Sequence, residues 1–211
     1  MNKETGDKTV VILAAGKATR WRGLPKQLMR VGDESIIVRI QRQVFQRGEL
    51  PTVVTHRDDI AMESKSCLFP KNNDTACDTL LSTRDLWHDQ VVVLLGDVIY
   101  TKDTMDLIFS GDRPLRVYGN AWEIYGMSFS ASVGDDIATH LKIASEYNSP
   151  GPRGKLRYFY QSCLGFEMGS GRYELEVLQW VQDKTRDVDS MWEYNKFIHE
   201  IVKSGKLDDL P

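Results

Sequence analysis

Cysteine and histidine are scarce in this sequence, and neither forms a cluster. The three cysteines are far apart, and no CxxC pair or histidine group has the spacing of a zinc site. Unpaired thiols are typical of a reducing compartment, so we expect a cytoplasmic protein. No apolar run is long enough to cross a membrane, and the polar residues 1–8 contain no signal-peptide core.

An excess of charge of one sign is also lacking, because 27 Lys and Arg residues face 30 Asp and Glu residues, for a net charge of −3. This balance argues against a nucleic-acid partner, which requires a basic surface. Any affinity for phosphate must therefore come from a few placed cations or from a metal. The 211 residues suit a single domain spanning 1–211, which we expect to be a monomer or a homodimer.

Strands and helices are predicted to alternate in the first half of the chain. Periodicity predicts strands at 10–13, 52–55 and 91–95, and helices over about 35–47, 75–87 and 101–111. This order predicts an α/β fold, a three-layer sandwich whose mostly parallel central sheet carries helices on both faces. Ligands of such sheets bind beyond the carboxyl ends of the strands, where Gly16 and Asp97 both fall.

The second half of the chain has a less regular pattern. We predict strands at 115–118, 126–130 and 156–161, a loop at 147–154 and a helix at 173–182. A last helix is predicted from residue 191 onward, with an inner face of Met191, Tyr194, Phe197, Ile198 and Ile201.

The turn after the first strand carries the clearest chemical signal. The small residues Ala14-Ala15-Gly16 allow a ligand to approach the backbone, and N–H groups at such a turn bind anionic oxygens. Arg20 and Lys26 add fixed positive charge nearby, and Pro25 fixes the backbone before Lys26. The layout favours a triphosphate, although a Leu-Ala-Ala-Gly turn alone is often structural and no P-loop or GxGxxG motif is present.

Three stretches together resemble the nucleotidyltransferases that share the glycosyltransferase-A fold, a Rossmann-like architecture. They are Leu13-Ala14-Ala15-Gly16-x-x-x-Arg20 with Pro25-Lys26, then Gly96-Asp97, then Asp187-Val188-Asp189-Ser190. The family includes sugar-phosphate nucleotidyltransferases, phosphocholine-type cytidylyltransferases and molybdopterin guanylyltransferases. The turn departs from the family in having one glycine, with Lys17 and Ala18 at positions that are often glycine.

The resemblance implies a transferase that moves a nucleoside monophosphate from CTP, UTP or GTP to a small phosphorylated acceptor and releases pyrophosphate, with Mg²⁺ as cofactor. The acceptor would be a sugar phosphate, an alditol phosphate or a phosphocholine-like compound. Residues of about 9–111 would bind the nucleotide and those of about 112–211 the acceptor. Two alternatives stay open, namely a molybdopterin guanylyltransferase-like enzyme and a non-catalytic nucleotide-binding protein on the same scaffold.

The resemblance also implies roles for individual residues. Arg20 and Lys26 would be catalytic, and Asp97 and Asp189 would hold Mg²⁺ with Asp187 as a third ligand. Asp97 alone could instead cap a turn, and Asp189 could be the N-cap of the last helix. Nucleotide contacts are expected from Leu13, Ala14, Ala15, Gly16, Lys17, Thr19, Asn72, Asn73 and Thr79. Acceptor contacts are expected from Glu123, Tyr125, Lys155 and Arg157.

Overall fold

The computed structural model describes residues 8–16, 24–72, 74–120, 122–147, 155–188 and 190–204, the last four of these without their side chains. The main strands are β1 (Lys8–Leu13), β4 (Pro51–Val54), β5 (Cys67–Leu68), β6 (Gln90–Leu95), β8 (Leu115–Gly119), β9 (Ile124–Ser130) and β10 (Leu178–Trp180). They form a seven-stranded sheet in the order β10-β8-β9-β6-β1-β4-β5. Two short antiparallel ribbons pair β2 (Arg30–Val31) with β3 (Glu34–Ser35), and β7 (Val98–Ile99) with β11 (Arg186–Asp187).

Strand direction determines which segments share an edge of the sheet. β1 runs parallel to β4 and β6, whereas β9 runs antiparallel to β6 and β8, and β10 runs parallel to β8. The carboxyl ends of β1, β4, β6, β8 and β10 therefore meet the amino end of β9 at one edge. This is the edge at which a mostly parallel sheet binds its ligands.

Helices cover both faces of the sheet, which confirms the predicted α/β architecture. They are α1 (Ile36–Phe45), α2 (Asp58–Met62), α3 (Ala76–Leu81), α4 (Lys102–Phe109), α5 (Gly134–Glu146), α6 (Leu156–Cys163) and α7 (Met191–Ser204). Ser35, Thr75 and Thr101 cap α1, α3 and α4, since each side-chain oxygen accepts a hydrogen bond from the N–H three residues on.

The alternation of side chains along β1 divides the core into two layers. Val10 and Ile12 pack with α1, α4 and α7 through residues such as Ile40, Ile108 and Phe197. On the other face, Val11 and Leu13 pack with α3, α5 and α6, where Leu80, Leu141 and Phe159 are buried.

Two predictions for the second half are wrong. Residues 156–161 belong to α6 and not to a strand, because Leu156, Phe159 and Tyr160 repeat at helical spacing and bury one face against α5 and α3. The predicted helix over 173–182 is instead a loop followed by β10, whose Leu178 pairs with Val117 on the edge of the sheet. The sequence reasoning also missed α5, whose apolar face packs on α3 and α6.

The last helix forms as predicted, but fewer of its side chains are buried than we predicted. Phe197 is buried and Tyr194 and Ile198 are partly buried, whereas Met191 is exposed. Cys67, Cys77 and Cys163 are free thiols. None of the helices that the structure describes has the length and apolar character to cross a membrane.

Candidate active site

The turn after β1 is held in the sheet by its neighbours. The N–H of Ala14 donates to the carbonyl of Val54 at 2.8 Å, and the N–H of Gly96 donates to the carbonyl of Leu13 at 2.9 Å. A Cβ on Gly96 would lie 3.0 Å from the Ala14 Cβ and 3.1 Å from the Leu13 oxygen, so only glycine fits comfortably there. This close approach places Asp97, the residue after Gly96, next to the first turn.

Lys26 lies between two carboxylates that come from different parts of the chain. Its Nζ is 3.5 Å from Asp97 Oδ2 and 3.7 Å from Asp187 Oδ1. The side chains of Lys26, Asp97 and Asp187 are 12%, 28% and 22% exposed, so the cluster is largely shielded but open to one side. Lys26, Asp97 and Asp187 therefore form one cluster, and their predicted roles stay predictions.

The pairing of β11 with β7 delivers Asp187 to this cluster. Asp187 lies opposite Val98, the residue directly after Asp97, and the two strands run antiparallel. Nearby, Thr185 and Asp183 anchor the same segment to α4, since the hydroxyls of Thr101 and Thr104 both donate to Asp183. The acidic segment near the end of the chain is thus fixed at the carboxyl end of β6.

The buried hydroxyl of Tyr100 connects two strands near the cluster. The Tyr100 hydroxyl accepts from the Leu95 N–H at 2.8 Å and donates to the Tyr125 carbonyl, which ties β6 to β9. Burial raises the pKa of Tyr100 well above its usual value, and the charges of Asp97 and Asp187 raise it further. The Tyr100 hydroxyl therefore stays protonated and remains a hydrogen-bond donor.

The backbone of the first turn presents unused donors. Within the described residues, the N–H groups of Ala15 and Gly16 have no hydrogen-bond acceptor. A Cβ on Gly16 would meet only Gln27 Nε2, at 4.0 Å, so the space above the turn is open. Successive N–H groups can form an anion-binding concavity. The contact of Ala15 and Gly16 with an anionic ligand stays a prediction.

Gln27 is a residue of this site that the sequence reasoning did not single out. Its side chain follows Lys26 in a single 3-10 turn (Lys26–Leu28), is only 4% exposed and faces Gly16. Its Oε1 is buried without a hydrogen-bond partner among the described residues. A buried amide without partners is costly, and such groups often mark a ligand position. The signal available in the sequence was its position directly after Lys26.

Several predicted site residues lie outside the described part of the chain, namely Lys17, Thr19, Arg20, Asn73 and Asp189. Asn72 lies in the loop after β5, at the same edge of the sheet, and its Oδ1 accepts from the Asp74 N–H at 3.1 Å. Thr79 corrects the prediction: it is buried within α3, and its hydroxyl donates to the Thr75 carbonyl at 3.0 Å. Leu13 and Ala14 are buried as well and can contribute only through their backbone.

The residues predicted to contact the acceptor lie in two places. Glu123 and Arg157 line one depression beside the turn between β8 and β9. Tyr125 is next to it, since its hydroxyl receives a hydrogen bond from Asn120 Nδ2 at 2.7 Å and donates to Glu123 Oε2 at 3.1 Å. Burial raises the pKa of Tyr125, with further contributions from Glu123 and Asp187. Lys155 is exposed directly before α6 and does not line the depression, and the segment after it is a helix rather than the strand that we predicted.

The donor set suits a hard divalent cation. Asp97 and Asp187 each place a carboxylate oxygen within 4 Å of the same ammonium, so two oxygens from separate segments converge on one cationic position. Oxygen donors and one or two carboxylates are what Mg²⁺ takes in phosphate-binding sites. Among the described residues no group of three or more metal-ligating side chains occurs, and Asp189 lies outside them.

Comparison with solved structures shows which proteins share this fold. The inositol-1-phosphate CTP transferase of T. maritima superposes with a TM-score of 0.64 at 10% identity, covering 97% of this chain and 98% of the other. A mycobacterial homologue of rv0371c, from strain JC1, gives 0.63 at 20% identity over 93% and 98%. The UDP-glucose pyrophosphorylase of Acinetobacter baumanii gives 0.62 at 14% identity over 95% of each chain.

The first half of the chain also matches a family model. Residues 10–112 match the family model described as the MobA-like NTP transferase domain. The resemblance predicted from the motifs is therefore confirmed, since this part of the chain is similar to a MobA-like NTP transferase domain. Sequence comparison with curated proteins gave no significant match.

Proposed function

We propose that this protein is a Mg²⁺-dependent nucleotidyltransferase that transfers a nucleoside monophosphate from a nucleoside triphosphate to the phosphate of a small acceptor. One acceptor oxygen forms a bond to the α-phosphorus, the bond to the bridging β-oxygen breaks, and pyrophosphate leaves. An acceptor phosphate is already ionised at neutral pH, so the reaction needs no general base. We expect the activity in the cytoplasm, from a monomer or homodimer.

The observation that carries this proposal is the convergence of Lys26, Asp97 and Asp187 beside the open turn at Gly16. The chemical problem is electrostatic, because an anionic acceptor must approach an anionic phosphorus centre. Two unit charges about 4 Å apart interact by about 4 kcal/mol at an effective dielectric near 20, so a single placed cation changes the barrier appreciably. A merely structural turn would not need a largely shielded lysine between two shielded carboxylates.

Each cation and donor of the site then has a role. The N–H groups of Ala15 and Gly16, with those of the following residues up to Thr19, bind the β- and γ-phosphates. Lys26 leaves its carboxylate partners to contact the α-phosphate and stabilises charge in the transition state. Arg20 neutralises the departing pyrophosphate, and Lys17, Asn72 and Asn73 contribute further contacts with the nucleotide.

Asp97 and Asp187 would hold Mg²⁺, together with Asp189. The metal supplies charge neutralisation and orientation of the phosphates when it is bound. The two described carboxylates also position the Lys26 ammonium before the substrate arrives, since their oxygens lie 3.5 and 3.7 Å from it. The two carboxylates are therefore suited to position Lys26 in the substrate-free site and to hold Mg²⁺ in the substrate-bound site.

The acceptor would bind beside the turn between β8 and β9, through Glu123, Tyr125 and Arg157, with Lys155 at the rim. The structural relatives include an inositol-1-phosphate CTP transferase and a UDP-glucose pyrophosphorylase, which supports a small phosphorylated acceptor. A molybdopterin guanylyltransferase-like activity is the second candidate, because the matching family model is described as MobA-like. It requires GTP and excludes turnover of sugar or alcohol phosphates.

Pyrophosphate release by the purified chain tests the proposal. A thermal-shift screen of CTP, UTP, GTP and ATP with Mg²⁺ first identifies the preferred base, because ligand binding adds to stability. Pyrophosphate release is then measured with that nucleotide and a panel of phosphorylated acceptors. Release that requires both an acceptor and Mg²⁺ supports the transferase. Nucleotide binding without release for any acceptor supports the non-catalytic alternative.

A further inference from the structure

A shallow depression lies at the carboxyl-end edge of the sheet and is lined by charged and aromatic side chains. It lies where β8 ends and β9 begins, on the side of the cleft away from α1, and its lining includes Trp122, Glu123, Arg157, Tyr160, Arg172 and Tyr173. Two guanidinium groups and one carboxylate give this lining a formal charge of +1, within a chain whose net charge is −3.

The turn that carries Trp122 and Glu123 is preorganised. Asn120 Oδ1 accepts from the N–H groups of Trp122 and Glu123 at 2.7 and 2.9 Å. Asn120 Nδ2 holds the Tyr125 hydroxyl, which in turn binds Glu123 Oε2. The Glu123 carboxylate thus already accepts a hydrogen bond from the Tyr125 hydroxyl, and its main role is to orient the turn.

The opposite wall is fixed in a similar way. The Tyr160 hydroxyl donates to the Glu174 carbonyl at 3.1 Å and receives the Glu174 N–H, which anchors the loop of Arg172 and Tyr173 on α6. Tyr173 also packs against Trp180, with ring centroids 5.5 Å apart. Arg172 forms no ion pair with any described carboxylate, so its charge is available to a ligand.

Two aromatic rings flank these charges and remain open to solvent. Trp122 is 81% exposed and Tyr173 is 46% exposed, although both belong to anchored segments. Exposed rings of this size on an ordered wall provide a surface for the carbon skeleton of a ligand. A cationic ligand would face two guanidinium groups, whereas an anionic group would be bound by both.

We propose that the acceptor is a phosphate monoester with a second anionic group, a carboxylate or another phosphate, which Arg157 and Arg172 bind while Trp122 and Tyr173 cover its carbon skeleton. This inference rests on the proposed function for its link to the acceptor. It adds the chemical class of that acceptor. Phosphate monoesters whose remaining part is neutral or cationic do not belong to this class.

Calorimetric titration of the full chain tests this class with matched pairs of probes. 3-Phosphoglycerate is compared with glycerol 3-phosphate, and fructose 1,6-bisphosphate with fructose 6-phosphate, so that the carboxylate and phosphate sources are separated. In at least one pair, the wild type should bind the member with the second anionic group about tenfold or more tightly than its partner, since charge-assisted hydrogen bonds of this kind change affinity by that factor. Arg172→Gln should reduce the ratio to near one.

Arg113→Gln is the matched control, because Arg113 is an exposed arginine just before β8, at the opposite edge of the sheet. It should keep the wild-type ratio, and Arg157→Gln serves as a second test variant. Equal affinities in the wild type, a ratio unchanged by Arg172→Gln, or no measurable binding of any probe would each overturn the inference.

The two proposals fail in different ways. Selective binding of the probes with a second anionic group, without pyrophosphate release from any nucleotide, contradicts the transferase but keeps the anion site. Pyrophosphate release that prefers glycerol 3-phosphate supports the transferase and contradicts the assigned acceptor class.

Discussion

Replacing Lys26 with methionine removes an ammonium while keeping most of the apolar side chain. At 3.5 and 3.7 Å from two carboxylate oxygens, each ion pair has a gross Coulomb energy of about 5 kcal/mol at an effective dielectric near 20. Desolvation offsets much of this energy in the folded protein, so we expect the free energy of unfolding to fall by only about 1–2 kcal/mol. The protein should therefore fold, with a Tm lower by a few degrees.

The effect on the reaction should be much larger. If the Lys26 ammonium lies about 4 Å from the charge that develops at the α-phosphate, its loss raises the barrier by about 4 kcal/mol. That change corresponds to a decrease in kcat of roughly a thousandfold. The assay is pyrophosphate release at saturating nucleotide and at a temperature below the Tm of the variant.

The control is Lys102→Met, because Lys102 forms only an exposed ion pair with Asp106 on α4. It should leave kcat unchanged. A Lys26→Met protein that keeps kcat within tenfold of the wild type, while losing the expected stability, would show that Lys26 is only structural.

Three further changes have distinct expected results. Asp187→Asn should raise the Mg²⁺ concentration for half-maximal pyrophosphate release at least about tenfold, whereas Asp135→Asn, on an exposed side chain, should not; equal responses would contradict the metal assignment. Gln27→Leu should raise the free energy of unfolding by up to about 1 kcal/mol and the KM for nucleotide about tenfold, because it removes an amide oxygen that is buried without a partner among the described residues. A loss of stability with unchanged KM would refute the role of Gln27. Burial alone would raise the pKa of Glu34, but Arg42 and Arg39 lower it, so Glu34→Gln should cost about 1 kcal/mol at pH 7. In urea titrations this difference should shrink as the pH falls through the lowered pKa, and a difference that grows in acid would contradict the assignment.

The first half of the fold could be predicted because its elements are locally consistent. Unbroken apolar runs mark β1 and β6, and hydroxyl caps mark the starts of α1 and α4. The rule that ligands bind at the carboxyl ends of parallel strands then placed Gly16 and Asp97 at one edge. The positions of Lys26 and Asp187 followed from the family motifs.

The second half was less predictable because tertiary contacts override its local preferences. The aromatic residues of α6 favour a strand by propensity, yet their spacing buries one helical face against α5. β10 is a strand of three residues that is formed by pairing with β8, and no local pattern reports that pairing. Gln27 was missed for a related reason, since only the folded structure reveals that its amide is buried next to Gly16.

A titration with Mn²⁺, followed by electron paramagnetic resonance in the presence of the preferred nucleoside triphosphate, tests the shared cleft most directly. Wild-type protein should bind one Mn²⁺ per chain in a nucleotide-dependent manner, and the Asp97→Asn, Asp187→Asn double variant should bind it at least about tenfold more weakly. Nucleotide-dependent Mn²⁺ binding of equal affinity in both proteins would contradict a metal-bridged site between these two carboxylates.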